Sequence, residues 1–166
     1  MRSILLAALL LSAPVLAAAP PATPPAARPG GTPVALAAHP GTPLDTAARQ
    51  LAAQDLQSAV RSGARPLVLT GTALLGTATD RLALFVQLQS ARDCGSAGCS
   101  TTVYIWQNGA YKRVLDGADG PLTVAPRRTR GMADLTTDHD RYVWTGQQYA
   151  NIHPAPAIDL RPRRRR

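Results

Sequence analysis

Apolar residues in this chain recur with a helical period before Pro66 and with a period of two after it. The apolar positions that share one helix face are Leu44, Ala48, Leu51, Ala52, Leu56, Ala59 and Val60. Thr42 can cap this helix, Pro43 fits its first turn, and Asp45 lies near the positive end of the helix dipole. Gly63 is a natural terminator. The pattern therefore predicts one amphipathic helix.

The alternation that follows predicts a series of short strands. Within Leu82–Gln89, one set of side chains is leucine and valine, and the alternate set contains Phe85. Further strands are predicted at Leu67–Leu69, Thr101–Trp106, Tyr111–Asp116, Leu122–Ala125, Ala133–Thr136, Arg141–Thr145 and Gln148–Ile152. Turns that tolerate positive φ fall at Asn108-Gly109 and at Gly146. Short strands joined by short turns indicate a meander, so the predicted fold class is α+β, with one N-terminal amphipathic helix packed on an antiparallel β-meander.

Two of these segments repeat one aromatic pattern. Tyr104 and Trp106 are followed by a glycine turn and a returning tyrosine, and the residues from Tyr142 to Tyr149 repeat the arrangement. We expect two similar hairpins in one sheet. Because residues i and i+2 of a strand share a face, Tyr104 and Trp106 share one, as do Tyr142 and Trp144. An open face would be a possible ligand face, whereas a face covered by the helix would be core, and core is the more common outcome.

The two ends of the chain differ from its middle. Residues 1–18 combine a positive start, an apolar run and small residues, which predicts a secretory signal peptide. Residues 19–43 are rich in proline and alanine, which predicts a disordered linker. Residues 44–154 are then a single domain, and residues 155–166 a basic disordered tail. We expect a periplasmic or secreted protein with no transmembrane segment after signal cleavage.

The formal net charge of +8 comes from two groups of arginines. They are Arg127, Arg128 and Arg130 in one segment, and Arg161, Arg163, Arg164, Arg165 and Arg166 in the tail. Such groups attract anionic surfaces in a salt-sensitive way, although a solvated tail without a partner is an equally good interpretation. We expect these residues to be anion-binding. The partner would be an anionic envelope polymer or lipid head groups, with no specific nucleic acid.

Cys94 and Cys99 are the two cysteines of the chain. In one exported domain we expect them to form a disulfide that clamps the connection between two strands. Four residues separate them, unlike the two of thioredoxin-like redox sites, and the chain has no second cysteine pair for zinc. A reducible switch is the alternative interpretation.

The segment from Asp134 to Arg141 gathers three carboxylates and a histidine. A hydrolase could use Asp138 and His139, but an Asx-rich turn between strands is the simpler interpretation. The segment 116–120 is likewise interpreted as a turn. Phosphate-binding loops, nucleophile elbows and zinc-protease motifs do not occur in the sequence. We therefore expect a protein that is not an enzyme, with no catalytic residues, no cofactor and no metal.

A longer pattern begins after Phe85: C-G-x-x-G-C, T-x-Y-x-W, T-R-G-M-x-D-L and Y-x-W-x-G-x-x-Y. It resembles small, uncharacterised secreted proteins of Gram-negative bacteria. The positions that carry the resemblance are Cys94, Gly95, Gly98, Cys99, Trp106, Gly109, Tyr111, Gly131, Asp134, Leu135, Trp144, Gly146 and Tyr149. The resemblance spans less than half of the chain, and it implies periplasmic residence but no activity.

Three functional hypotheses remain. The first is a non-enzymatic binding module for anionic envelope components. The second is an inhibitor of a periplasmic protein, similar to lysozyme inhibitors, that presents the Cys94–Cys99 loop. The third is a small hydrolase that uses Asp138 and His139. We favour the first, because a basic inhibitor would be poorly steered toward a basic lysozyme.

Overall fold

The structure is a computed structural model that describes residues 30–77, 81–91 and 94–152. The predicted signal peptide and the predicted basic tail, with its five arginines, lie outside the described residues. Of the predicted linker, residues 30–43 are described.

Two short helices and ten strands make up the described part of the chain. The helices are α1 (Pro43–Leu51) and α2 (Ala53–Arg61). The strands are β1 (Thr32–Pro33), β2 (Leu67–Leu74), β3 (Leu82–Gln89), β4 (Cys94–Gly95), β5 (Gly98–Gln107), β6 (Ala110–Asp119), β7 (Thr123–Thr129), β8 (Met132–Thr136), β9 (Arg141–Trp144) and β10 (Tyr149–Asn151). The pairings between these strands are antiparallel.

The strands form two sheets. In the central sheet, β2, β3, β5 and β6 lie side by side, and the short β4 pairs with the start of β5. In the second sheet the order is β1-β7-β8-β9-β10. One face of the central sheet packs on the second sheet and the other packs on the helices. The central sheet is therefore the middle of three layers.

Strand β3 shows how the central sheet buries both faces. Ala83 and Phe85 contribute to the core shared with the second sheet. Leu84 and Val86 contribute to the core under the helices. Since the side chains on both faces are apolar here, burial of both faces stabilises the fold more than burial of one face would.

The predicted fold class, with one N-terminal helix on a meander, is wrong. The protein is mostly antiparallel β structure in two sheets, with two helices. The predicted helix is interrupted at Ala52, whose φ of −95° and ψ of 15° depart from helical values. The predicted cap is confirmed, since the Thr42 hydroxyl accepts a hydrogen bond from the Asp45 amide at 3.2 Å. Alternation of apolar and polar residues identifies a strand but not the sheet to which it belongs. The sequence pattern therefore did not show that the strands divide between two sheets.

Residues 30–43 fall within the predicted linker, yet they pair with both sheets. Strand β1 pairs with β7 of the second sheet. Val34 and Leu36 pack against the core between the sheets. Further on, Ala37 and Thr70 of β2 exchange two backbone hydrogen bonds, of 3.0 and 2.9 Å. The folded region therefore begins before the boundary that composition predicts.

Candidate ligand-binding groove

The two aromatic hairpins lie in different sheets, not in the single sheet that the repeat predicts. The hairpin β5–β6 belongs to the central sheet, and the hairpin β9–β10 belongs to the second sheet. Each places a tryptophan opposite a tyrosine. The ring centroids are 5.0 Å apart for Trp106 and Tyr111, and 5.3 Å apart for Trp144 and Tyr149.

The predicted ligand face does not form as one surface. Trp106 is 46% exposed, whereas Tyr104, Tyr142 and Trp144 are between 5% and 6% exposed. Tyr142 and Trp144 belong to the core between the sheets, and Tyr104 belongs to the core under the helices. The four rings are thus divided between two layers, and Tyr104 remains of interest because it borders a groove.

This groove, of about 570 Å³, lies between α2 and the helix-bearing face of the central sheet. Val86 and Leu88 of β3 provide apolar surface, with Ala59 of α2 beside them. Polar side chains on β5 and β6 form the opposite wall. The groove exists because α1 packs on β2, at one side of the sheet, and leaves the side of β5 and β6 less covered.

The hydroxyl of Tyr104 is one of the polar groups of this groove. Only 5% of Tyr104 is exposed, and its hydroxyl has no hydrogen-bond partner among the described residues. The oxygen is not among the fully buried unpaired atoms of the described residues, so it is open to the groove. Burial raises the pKa of Tyr104, Asp55 and Asp116 raise it further, and Arg113 acts in the opposite direction. The hydroxyl therefore stands within electrostatic range of a carboxylate on each wall.

The two carboxylates reach the groove from different elements. Asp55 lies on the exposed side of α2, in its first turn. Asp116 lies on β6 and forms an ion pair with Arg113 at 3.3 Å, in which both side chains are more than half exposed. An exposed pair of this kind contributes little to stability, about 0–1 kcal/mol. Both carboxylates are thus available to a ligand at little cost to the fold.

A β-bulge explains why Asp116 lines the groove. Thr101 pairs with Ala118 but Val103 pairs with Leu115, so β6 contains one residue more than β5 over this stretch. Gly117 lies inside it with a φ of +69°, a value that favours glycine. The interpretation of the segment 116–120 as a turn is therefore wrong for its first residues, and, apart from Tyr104, the groove residues were not identified from the sequence. The Asp-Gly step at the end of a strand was the signal for the bulge.

Arg127 lies against a buried carboxylate. Its Nε is 3.8 Å from Oδ2 of Asp134, and the Nη2 of Arg141 is 2.5 Å from the same oxygen. Asp134 is fully buried, and its Oδ1 has no hydrogen-bond partner among the described residues. The arginines act here as countercharges to Asp134.

The other two arginines of the same segment bind backbone carbonyls. The Nη1 of Arg128 donates to the carbonyl of Leu75 at 2.9 Å. The Nη1 of Arg130 donates to the carbonyl of Thr145. The three side chains therefore engage separate acceptors, and the structure does not bring them together. Anion binding by them, and by the five arginines outside the described residues, stays a prediction.

The predicted disulfide between Cys94 and Cys99 is confirmed. The two residues pair directly across β4 and β5, and Gly98 pairs with Gly95 in the tight hairpin between them. The amide of Gly120 donates to the Cys99 carbonyl at 3.4 Å and connects the hairpin to the end of β6. Ser96 and Ala97 are the exposed tip of this hairpin.

Asp138 and His139 lie in an exposed turn between β8 and β9. The Thr137 hydroxyl accepts hydrogen bonds from the amides of His139 and Asp140, at 3.4 and 3.0 Å. Asp140 accepts a hydrogen bond from Asn151 at 2.6 Å. These contacts belong to a turn, and within the described ranges no three His, Cys, Asp or Glu residues are grouped closely enough to hold a metal ion.

The described helices have nine residues each, and neither is long or apolar enough to cross a membrane. The chain matches no protein-family profile, no curated protein and no solved structure.

Proposed function

We propose that this chain is an exported, non-enzymatic binding protein of the cell envelope, and that the groove between α2 and the central sheet holds its ligand. The volume of about 570 Å³ is in the range of small-molecule sites, which is roughly 300–1,000 Å³. The groove combines apolar surface with a few polar groups, as such sites do.

The observation that carries this proposal is the Tyr104 hydroxyl. It borders the groove and has no hydrogen-bond partner among the described residues, although only 5% of Tyr104 is exposed. The oxygen is not among the fully buried unpaired atoms of the described residues, so it is open to the groove. A ligand in the groove could therefore donate a hydrogen bond to this hydroxyl, or accept one from it, without displacing a protein partner.

The arginine-rich segments have a separate role in this proposal. They would hold the protein near anionic polymers or lipid head groups of the envelope, and the groove would bind the specific ligand. Electrostatic attachment of this kind weakens as salt rises, because exposed charges are screened. Removal of residues 161–166 should therefore reduce envelope attachment without changing the groove.

The test compares a groove-filling variant with a matched neighbour. Ser58 lines the groove, whereas Gln57 is exposed on the same helix and does not line it. We would incubate wild type, Ser58→Trp and Gln57→Trp with an envelope extract, and identify retained small molecules by mass spectrometry. A compound retained by wild type and Gln57→Trp but not by Ser58→Trp supports the proposal. Equal retention by all three proteins, or none by wild type, contradicts it.

A second candidate function is inhibition of a periplasmic protein by the disulfide hairpin. The observation in its favour is the exposed tip at Ser96 and Ala97, on a two-residue turn closed by the disulfide. A rigid loop loses little entropy on binding. If this function holds, Ala97→Arg abolishes binding to a periplasmic protein and Ser58→Trp has no effect on it.

A further inference from the structure

Within the described part of the chain, the groove is lined by two carboxylates, and only one of them is paired with a cation. Asp55 forms no ion pair among the described residues, and Asp116 is paired with Arg113 in an exposed, weak contact. The chain as a whole is basic, with a formal net charge of +8. An acidic groove in a basic protein is therefore a local feature, and it favours a positively charged ligand.

The Tyr104 hydroxyl adds a specific contact. Its oxygen can accept a hydrogen bond from a ligand N–H, while its own proton can be donated to a carboxylate. It stands in electrostatic range of Asp55 and Asp116, one on each wall, and of Arg113, the ion-pair partner of Asp116. Together these groups match an ammonium group, which has several N–H donors and no acceptor.

The rest of the groove is suited to a hydrocarbon chain. Val86 and Leu88 on β3 line it, together with Ala52 and Ala59 on the helix side. Apolar ligand surface gains roughly 25 cal/mol per Å² when it leaves water. A ligand with a charged end and an apolar body would therefore use both parts of the groove.

We infer that the groove binds a small organic cation, an amine with a hydrocarbon body, whose ammonium group lies between Asp55, Asp116 and the Tyr104 hydroxyl. This inference rests on the proposed function and specifies its ligand class. It assigns no role to the arginine-rich tail.

The test measures binding of three probes of equal chain length by isothermal titration calorimetry. Hexylammonium carries the positive charge, hexanol is neutral and hexanoate is negative. Because a hydrogen bond to a charged group is stronger than one between neutral groups, we expect hexylammonium to bind roughly tenfold more tightly than hexanol, and more tightly than hexanoate. This preference should diminish at high salt, since Asp55 and Asp116 are exposed to solvent.

Amino-acid substitutions test where the ammonium group binds. Asp55→Asn should weaken hexylammonium binding roughly tenfold and leave hexanol binding unchanged. Tyr104→Phe keeps the ring and removes the hydroxyl, so it should weaken hexylammonium roughly threefold to tenfold. Asp138→Asn is the control, because it removes the same charge from an exposed turn outside the groove. Circular dichroism would check that each variant is folded.

The outcomes separate this inference from the proposed function. Equal binding of hexylammonium and hexanol, with both lost in Ser58→Trp, overturns the cation inference and leaves the groove as a ligand site. Binding of all probes that is unaffected by Ser58→Trp overturns both. A hexylammonium preference that Asp138→Asn reduces as much as Asp55→Asn also overturns the inference.

Discussion

The hairpins β5–β6 and β9–β10 carry the same aromatic pattern in different surroundings. In β9–β10, Trp144 and Tyr149 are 6% and 5% exposed, and the Tyr149 hydroxyl donates to the Ala133 carbonyl at 2.7 Å. In β5–β6, Trp106 is 46% exposed, and the Tyr104 hydroxyl borders the groove without a hydrogen-bond partner among the described residues.

The difference comes from the layer that covers each hairpin. The inner face of the second sheet packs on a whole sheet, and its aromatic residues Tyr142, Trp144 and Tyr149 are 5–6% exposed. The helix-bearing face of the central sheet packs on two nine-residue helices, which leave the groove beside β5 and β6. One local pattern can therefore stabilise the core in one place and border a groove in another.

Removal of the tryptophans should show the largest difference between the hairpins. Trp144→Ala leaves a cavity in the core and should lower the free energy of unfolding by about 3–5 kcal/mol. Trp106→Ala should lower it by less than about 1.5 kcal/mol, because almost half of this side chain already contacts water. Urea denaturation of both variants measures the two values, and equal losses would contradict the comparison.

Substitutions in the glycine turns of the two hairpins should show a smaller difference in stability. Gly109 has a φ of +78°, close to the left-handed region, and Gly146 has a φ of +114°, well beyond it. We expect Gly109→Ala to cost about 1 kcal/mol and Gly146→Ala about 2–3 kcal/mol. Thermal denaturation compares the two variants. A larger loss at Gly109 would show that the backbone angles do not determine the cost.

The tyrosine hydroxyls provide a smaller contrast. Tyr149→Phe leaves the buried Ala133 carbonyl without this donor and should cost about 1–2 kcal/mol. Tyr104→Phe removes a hydroxyl that has no hydrogen-bond partner among the described residues, so it should cost less than about 0.5 kcal/mol or increase stability. Urea denaturation distinguishes the two, and a larger loss for Tyr104→Phe would contradict the assignment of its hydroxyl to the groove.

The smallest effect on stability over the ordinary pH range is expected from the ionisation of the buried tyrosines at alkaline pH. Burial, with Asp140 nearby, raises the pKa of Tyr142 to about 12, and burial also raises the pKa of Tyr149. Because the folded-state pKa is above the unfolded value near 10, the stability from these residues is complete below pH 10 and is lost as pH rises toward 12. Absorbance of tyrosinate at 295 nm, with far-UV circular dichroism, follows both changes. Full ionisation by pH 10 without unfolding would contradict this expectation.

Much of the local structure could be predicted from the sequence. The Thr42 cap, the alternation in β3 and the disulfide between Cys94 and Cys99 each depend on residues close together in the chain. The assignment of strands to two sheets could not be predicted, because the period of two identifies a strand's faces but not what covers them. Residues 30–43 were misjudged for a similar reason, since composition does not show the pairing with β2 and β7.

The groove was harder to predict than the fold. Tyr104 was identified, but its aromatic neighbours suggested a platform of four rings, and the layers divide these rings. Asp55 is an ordinary residue on the exposed side of a helix, and Asp116 enters the groove only through a bulge. Neither position has a local sequence signal for binding, because Asp55 and Asp116 come from distant parts of the chain and meet only at the groove that α2 and β6 both border.

The most direct test of this account is a nuclear magnetic resonance titration of ring-labelled tyrosines with hexylammonium. We predict a saturable shift of the Tyr104 ring signal, with the Tyr142 and Tyr149 signals unchanged, because only Tyr104 of these three borders the groove beneath α2. No shift at Tyr104, or an equal shift at Tyr149, would contradict the claim that the two hairpins differ in access to a ligand.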